Sequence, residues 1–224
     1  MQALGVDDPK VAVVAIDCHR GHLDPLVATM PASREVAERL TEANRLFFDA
    51  CRAVSVPIIH LVTRYREEAE IRMNPFWRMR ADDPNATRKN VMRHNLYGSA
   101  GTTIMPGLLK VGDSVVDTKK RYDSFIGTDL EFRLKSLGIN TIFMTGINTN
   151  SCVLATAIAA NVRDYSVVVI EDCVDTMDTR DHHDAALMCL RTAFAVTMTA
   201  REAVEAARQW QQGRPSVAQS GNAA

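Results

Sequence analysis

Several things a chain of this size could carry are missing. Net charge is the first: Lys and Arg number 26 against 27 Asp and Glu, leaving -1. No global field gathers nucleic acid or an acidic membrane surface, so a small neutral or singly charged molecule is the expected partner, with no nucleic acid and no membrane. Long apolar runs are also absent. The longest, such as 11–16 and 166–170, fall well short of the roughly 20 residues needed to cross a bilayer. The first residues include Asp7 and Asp8 and no basic stretch ahead of an apolar one, so no export signal is read there and a cytoplasmic location is expected. The five cysteines, at 18, 51, 152, 173 and 189, are odd in number and form no CxxC pair, which argues against a disulfide framework or a zinc knuckle. Reduced thiols and no cofactor are expected.

What is present is a core. With 46% hydrophobic residues over 224, the chain can bury one full domain, expected over 1–212, with 213–224 as a frayed tail. Apolar, β-branched runs at 11–17, 58–62, 113–120, 141–145, 167–170 and 195–199 alternate with segments of helical periodicity. Val36, Leu40, Ala43, Phe47, Ala50 and Val54, at spacings of three and four, mark the longest helix. Strand and helix in alternation predict an α/β fold, a three-layer α/β/α sandwich around a mostly parallel, Rossmann-like sheet of about six strands. Residues 63–101 are dense in Arg, Pro, Asn and Met and are expected to form a lid or substrate segment with some local helix.

In such sheets ligands bind beyond the strand C-termini, and three predicted strands end in reactive groups. Asp17 closes the first, the pair Lys119 and Lys120 the third, and Cys152 follows the fourth, with Gly146 expected to break that strand. Asn148, Thr149, Asn150 and Ser151 are good N-caps ahead of an alanine-rich helix, placing Cys152 in its first turn. There the positive end of the helix dipole and unpaired N–H groups would lower the thiol pKa. A free cysteine ordinarily packs as a small hydrophobe, and Asp17 equally suits a loop cap, so these residues alone leave both readings open. Strand alternation sends Lys119 and Lys120 to opposite faces. Asp172, Cys173, Asp175, Asp178, Asp181, His182, His183 and Asp184 have the composition of a metal box, but their acidic members suit a helix N-terminus and adjacent histidines diverge. No metal is expected there.

Val14-Ala15-Ile16-Asp17-Cys18-His19, Lys119 through Phe125 and Gly146-Ile147-Asn148-Thr149-Asn150-Ser151-Cys152-Val153 together resemble the motifs of the isochorismatase-like cysteine hydrolases, the group of nicotinamidases, carbamoylsarcosine amidohydrolase, and ureidoacrylate and biuret amidohydrolases. His19 stands where that family usually has glutamine. The resemblance implies a catalytic trio of Asp17, Lys119 and Cys152, with Lys119 selected by its spacing to Tyr122. It also implies a cis bond between Ile147 and Asn148, an oxyanion hole from the N–H groups of Asn148 and Cys152, and a homo-oligomer, dimer or tetramer. Nicotinamidases of this family carry a metal-binding Asp-x-His after the second strand. This chain reads Thr63-Arg64-Tyr65 there, so no metal is expected and nicotinamidase is disfavoured. The implied activity is hydrolysis of a small amide, carbamoyl or ureido compound. An isochorismatase-type vinyl ether hydrolase, a reaction that some relatives without the cysteine carry out with Asp and Lys, and a noncatalytic α/β binding module are the alternatives; Cys152 favours the amidase. His19, Asn74, Trp77, Tyr97 and Tyr122 are the expected substrate contacts.

Overall fold

The computed structural model describes residues 4–212, so the tail assigned to 213–224 lies outside the described residues. Six strands, β1 (Val11–Ile16), β2 (Ile58–Thr63), β3 (Ser114–Lys119), β4 (Thr141–Ile147), β5 (Ser166–Asp175) and β6 (Val196–Met198), form one sheet in the order β3-β2-β1-β4-β5-β6. Every pairing is parallel. The helices are α1 (Arg20–Leu23), α2 (Arg34–Ala53), α3 (Glu68–Arg72), α4 (Pro75–Ala81), α5 (Leu130–Ser136), α6 (Leu154–Asn161), α7 (Arg180–Cys189) and α8 (Ala200–Gln212). This is the expected α/β sandwich around a parallel sheet.

Period-2 alternation along β1 divides the core. Val13 and Ala15 face Leu40, Phe47 and Phe48 of α2 and Ala203 and Ala207 of α8. Ala12, Val14 and Ile16 face Leu130 and Leu134 of α5, Ala157 and Ala160 of α6 and Leu187 of α7. The chain leaves β1 in one direction along the sheet and β4 in the other, so the crevice between their C-terminal ends is the place where a ligand would bind.

Two strand ends differ from expectation. β4 does not break at Gly146 but continues to Ile147. Gly146 pairs with Ile16 at φ 111°, and a Cβ there would lie 1.9 Å from the Ile16 carbonyl oxygen. Only glycine lets the two backbones approach so closely. β5 runs past Ile170 to Asp175, because its pairing with β4 slips after Met144 and resumes at Val174.

Residues 63–101 are ordered as a cap. α3, α4 and 3₁₀ turns at Val91–Arg93 and Ala100–Thr102 enclose a small core of Tyr65, Ile71, Trp77, Val91 and Met92, closed by Met30. Asn74 starts α4, its side chain accepting from the Trp77 N–H, with Pro75 following at the position where a missing N–H costs nothing. Among the described residues no helix is long and apolar enough to cross a membrane.

Candidate active site

Three strand ends converge on one buried cluster. Asp17 follows β1 in a left-handed conformation, φ 53°. Lys119 ends β3, and Cys152 lies in a π-helical turn, Thr149–Val153, that feeds directly into α6. Lys119 Nζ donates to Asp17 Oδ2 at 2.5 Å and stands 3.3 Å from Cys152 Sγ. All three are buried, Lys119 to 1% exposure. A lysine so enclosed is tolerated because it is paired and hydrogen-bonded.

The side chain at 119 reaches this place through an irregularity. β2 and β3 pair as Leu61 with Val116 but then as Thr63 with Lys119, an extra residue on β3. The buried positions of β3 are consequently Val116 and Lys119, three apart. Strict alternation from Val116 would have carried Lys120 to that face instead. Bulges beside reactive centres re-aim side chains in this way. Lys120 points elsewhere, donating to the Arg64 carbonyl at 2.5 Å and standing 3.8 Å from Glu70. It is partly buried, not the fully solvated charge that a surface lysine would be.

Thr63, expected only as the first residue of the lid, joins the cluster. Its N–H and its hydroxyl donate to Asp17 Oδ1 at 3.0 and 2.8 Å, and its Oγ1 accepts from Lys119 at 2.8 Å. A polar β-branched residue at the C-terminal tip of a central parallel strand was the available signal.

Burial pushes the Asp17 carboxyl up, but the Lys119 charge and the hydrogen bond from His19 outweigh it and hold the group well below the usual carboxylate range. Lys119 is raised to about 12: burial lowers it, and its electrostatic pairing and hydrogen bonds with Asp17 and Cys152 more than offset this. Cys152 corrects an expectation. Burial pushes its thiol up to about 12, with Lys119 pulling it down and Asp17 raising it again. The helix-start position was expected to lower it, but desolvation of a fully enclosed sulfur is the larger effect. The resting site is therefore carboxylate, ammonium and thiol.

The peptide bond between Ile147 and Asn148 is cis. Asn148 Oδ1 accepts from the Met177 N–H at 2.7 Å, tying the turn before Cys152 to the end of β5. Over the sulfur is a cavity of about 30 Å³, room for roughly one water. Thr63, Lys119, Asn148 and Cys152 form its floor, and Trp77, Arg88, Val91 and His94 of the cap close it. Arg88 makes a two-pronged pair with Asp178, at 3.1 and 3.0 Å, which fastens the cap to the loop after β5. A wider groove of about 1220 Å³ between α2 and α8 shares no lining residue with this cavity.

Of the expected substrate contacts, Trp77 and Tyr122 line the cavity, and the Tyr122 hydroxyl accepts from Trp77 Nε1 at 3.0 Å and from Arg88 Nε at 3.1 Å. His19 is fully buried behind Asp17, 3.5 Å from its Oδ1. Asn74 and Tyr97 are not among the lining residues. Asn74 is engaged as the α4 cap, and Tyr97 is 71% exposed under the Arg64 guanidinium. The acidic 172–184 segment holds no metal cluster among the described residues, whereas His19, His22 and His94 come together beside the site.

The model of the Isochorismatase domain matches residues 11–202. An uncharacterized isochorismatase family protein, YaaI of Bacillus subtilis, is 33% identical over 87 residues, 39% of this chain and 48% of that protein. Ureidoacrylate amidohydrolase RutB of Methylobacterium radiotolerans is 32% identical over 97 residues, 43% of this chain and 38% of that protein. The chain thus spans about half or less of the length of these relatives. A solved isochorismatase family protein from Burkholderia thailandensis superposes with TM-score 0.68 at 30% identity, covering 90% of this chain and 96% of that one.

Proposed function

The chain belongs to the isochorismatase family, and on that premise we propose that it is a cysteine amidohydrolase cleaving a C–N bond of a small amide, carbamoyl or ureido compound. One observation carries this reading. Lys119 Nζ bridges a buried carboxylate and a buried thiol, 2.5 Å from Asp17 and 3.3 Å from Cys152. A base, a cation and a nucleophile in contact are what covalent acyl transfer requires.

In the proposed sequence, Asp17 takes the thiol proton as Cys152 Sγ bonds to the substrate carbonyl carbon, and Lys119 stabilises the sulfur's negative charge. The carbonyl oxygen becomes an oxyanion received by the N–H groups of Asn148 and Cys152. Its collapse breaks the C–N bond, and Asp17 returns the proton to the departing nitrogen. Water then attacks the thioester carbon, losing its proton to Asp17 and releasing the acid, and the sulfur is reprotonated. Since the thiol rests neutral at about 12 and the carboxyl far lower, proton transfer and attack would proceed together. A free thiolate need not accumulate. The cavity of about 30 Å³ admits a substrate only when the cap residues Trp77, Arg88 and Val91 move aside.

The test is a screen of small amides, carbamoyl compounds and ureides for ammonia release, run on the wild type and Cys152→Ala. Turnover that disappears in a folded Cys152→Ala is expected. Vinyl ether cleavage without ammonia, or no turnover at all across the panel, would favour the alternative readings. Undiminished ammonia release in Cys152→Ala would overturn the covalent mechanism.

A further inference from the structure

None of the steps above uses the histidines beside the trio. His19 precedes α1, His22 lies within it and His94 belongs to the cap, and one ring nitrogen from each lies within 4.8 Å of the others. All three are buried, to 0, 4 and 2% exposure. The rings are in contact, with centroids 5.0 Å apart for His19 and His22 and 4.6 Å for His22 and His94. Each neutral imidazole offers one ring nitrogen with a lone pair.

The outer contacts say which nitrogens those are. His22 Nδ1 is 2.8 Å from the Met30 carbonyl oxygen. A carbonyl only accepts, so Nδ1 carries the proton and Nε2 the lone pair. His94 Nδ1 lies 3.0 Å from Thr29 Oγ1, a hydroxyl able to accept its proton. The His19 ring is held by Asn95, whose Nδ2 lies 3.0 Å from its Nε2 and also donates to the Thr63 carbonyl at 2.8 Å. Gly21 permits this packing, since a Cβ there would meet Asn95 Oδ1 at 2.1 Å. An outer Nδ1 anchored to protein oxygen, as at His22 and His94, is how ligating histidines are oriented.

We propose that His19, His22 and His94 bind one divalent transition-metal ion of the zinc and cobalt class at the wall of the cavity over Cys152. Neutral imidazoles select such ions over magnesium or calcium. Metal–nitrogen bonds of about 2.0–2.1 Å place tetrahedral ligands about 3.4 Å apart, so the rings draw together on binding. His22 and His94 line the cavity, leaving the ion's fourth position open towards it. None of these residues follows β2, where Thr63-Arg64-Tyr65 stand. This revises the expectation that the chain has no metal site, and it does not depend on the amidohydrolase reading.

The experiment titrates full-length, chelator-stripped protein with Co²⁺ and with Zn²⁺ by calorimetry, and follows the visible absorption of bound cobalt. One ion per chain is expected, with zinc displacing the cobalt spectrum. His94→Gln should abolish the spectrum. Thr29→Val, which frees His94 Nδ1 without touching a ligand, should weaken binding about 10- to 100-fold, and it carries the test if the histidine variant misfolds. Cys152→Ala and the exposed His182→Ala should bind as the wild type does. The proposal is overturned if the stripped protein takes up no ion, if binding is unchanged in both His94→Gln and Thr29→Val, or if Cys152→Ala removes it.

Discussion

Lys119→Met is the sharpest perturbation, because methionine keeps most of the buried volume while deleting a charge that touches both other members of the trio. At the 3.3 Å separating Nζ from the sulfur, a unit charge pair at an effective dielectric constant of about 20 interacts by about 5 kcal/mol. Losing that attraction should slow reaction of the sulfur by about three to four orders of magnitude. Asp17 also changes. Its carboxyl, held down chiefly by Lys119 against the upward push of burial, should rise and bind a proton, leaving a poor base. The assay is iodoacetamide alkylation of the Cys152 peptide read by mass spectrometry, in a Cys189→Ser background because Cys189 is exposed. Lys120→Met is the control. It loses a bond to the Arg64 carbonyl and a 3.8 Å approach to Glu70, contacts worth about 1 kcal/mol of stability, and alkylation should stay within about twofold of the parent. Equal rates for the two variants, both folded by circular dichroism, would refute the placement of the Lys119 charge beside the thiol.

Three further outcomes follow from the same geometry. In the free enzyme, a thiol pushed up to about 12 is protonated at all lower pH, so its alkylation rate should climb about tenfold per pH unit from 7 to 10; a plateau near pH 8 would show a thiolate already formed. Thr63→Val removes the hydroxyl that donates to Asp17 and accepts from Lys119 and should lower unfolding free energy by about 1–3 kcal/mol, measured by urea denaturation, while an unchanged midpoint would make that hydroxyl dispensable. Gly146→Ala would force a Cβ to 1.9 Å from the Ile16 carbonyl oxygen and should lose several kcal/mol or fail to fold; a melting temperature near wild type would contradict the close approach of β1 and β4.

Local pattern carried much of this protein. Period-2 and period-3.6 apolar spacing placed six strands and their helices, the carboxylate at a strand tip marked Asp17, and the N-cap run after the fourth strand marked Cys152, because backbone geometry and side-chain direction are short-range properties. Motif spacing marked Lys119. What tertiary structure decided was where distant segments meet. The bulge opposite Leu61 and Thr63, which turns Lys119 into the site, depends on how β3 docks on β2 and has no signature in a single strand. Thr63 enters because β2 ends between Asp17 and Lys119, and Asn74 and Tyr97 leave because one is spent on a helix cap and the other faces solvent. The thiol's direction of shift reversed for the same reason: a helix start is visible in a run of residues, but the desolvation that outweighs it is the work of cap and sheet closing from both sides. The three histidines lie up to 75 residues apart in sequence (94 − 19), and only the packing of the cap against α1 makes them neighbours.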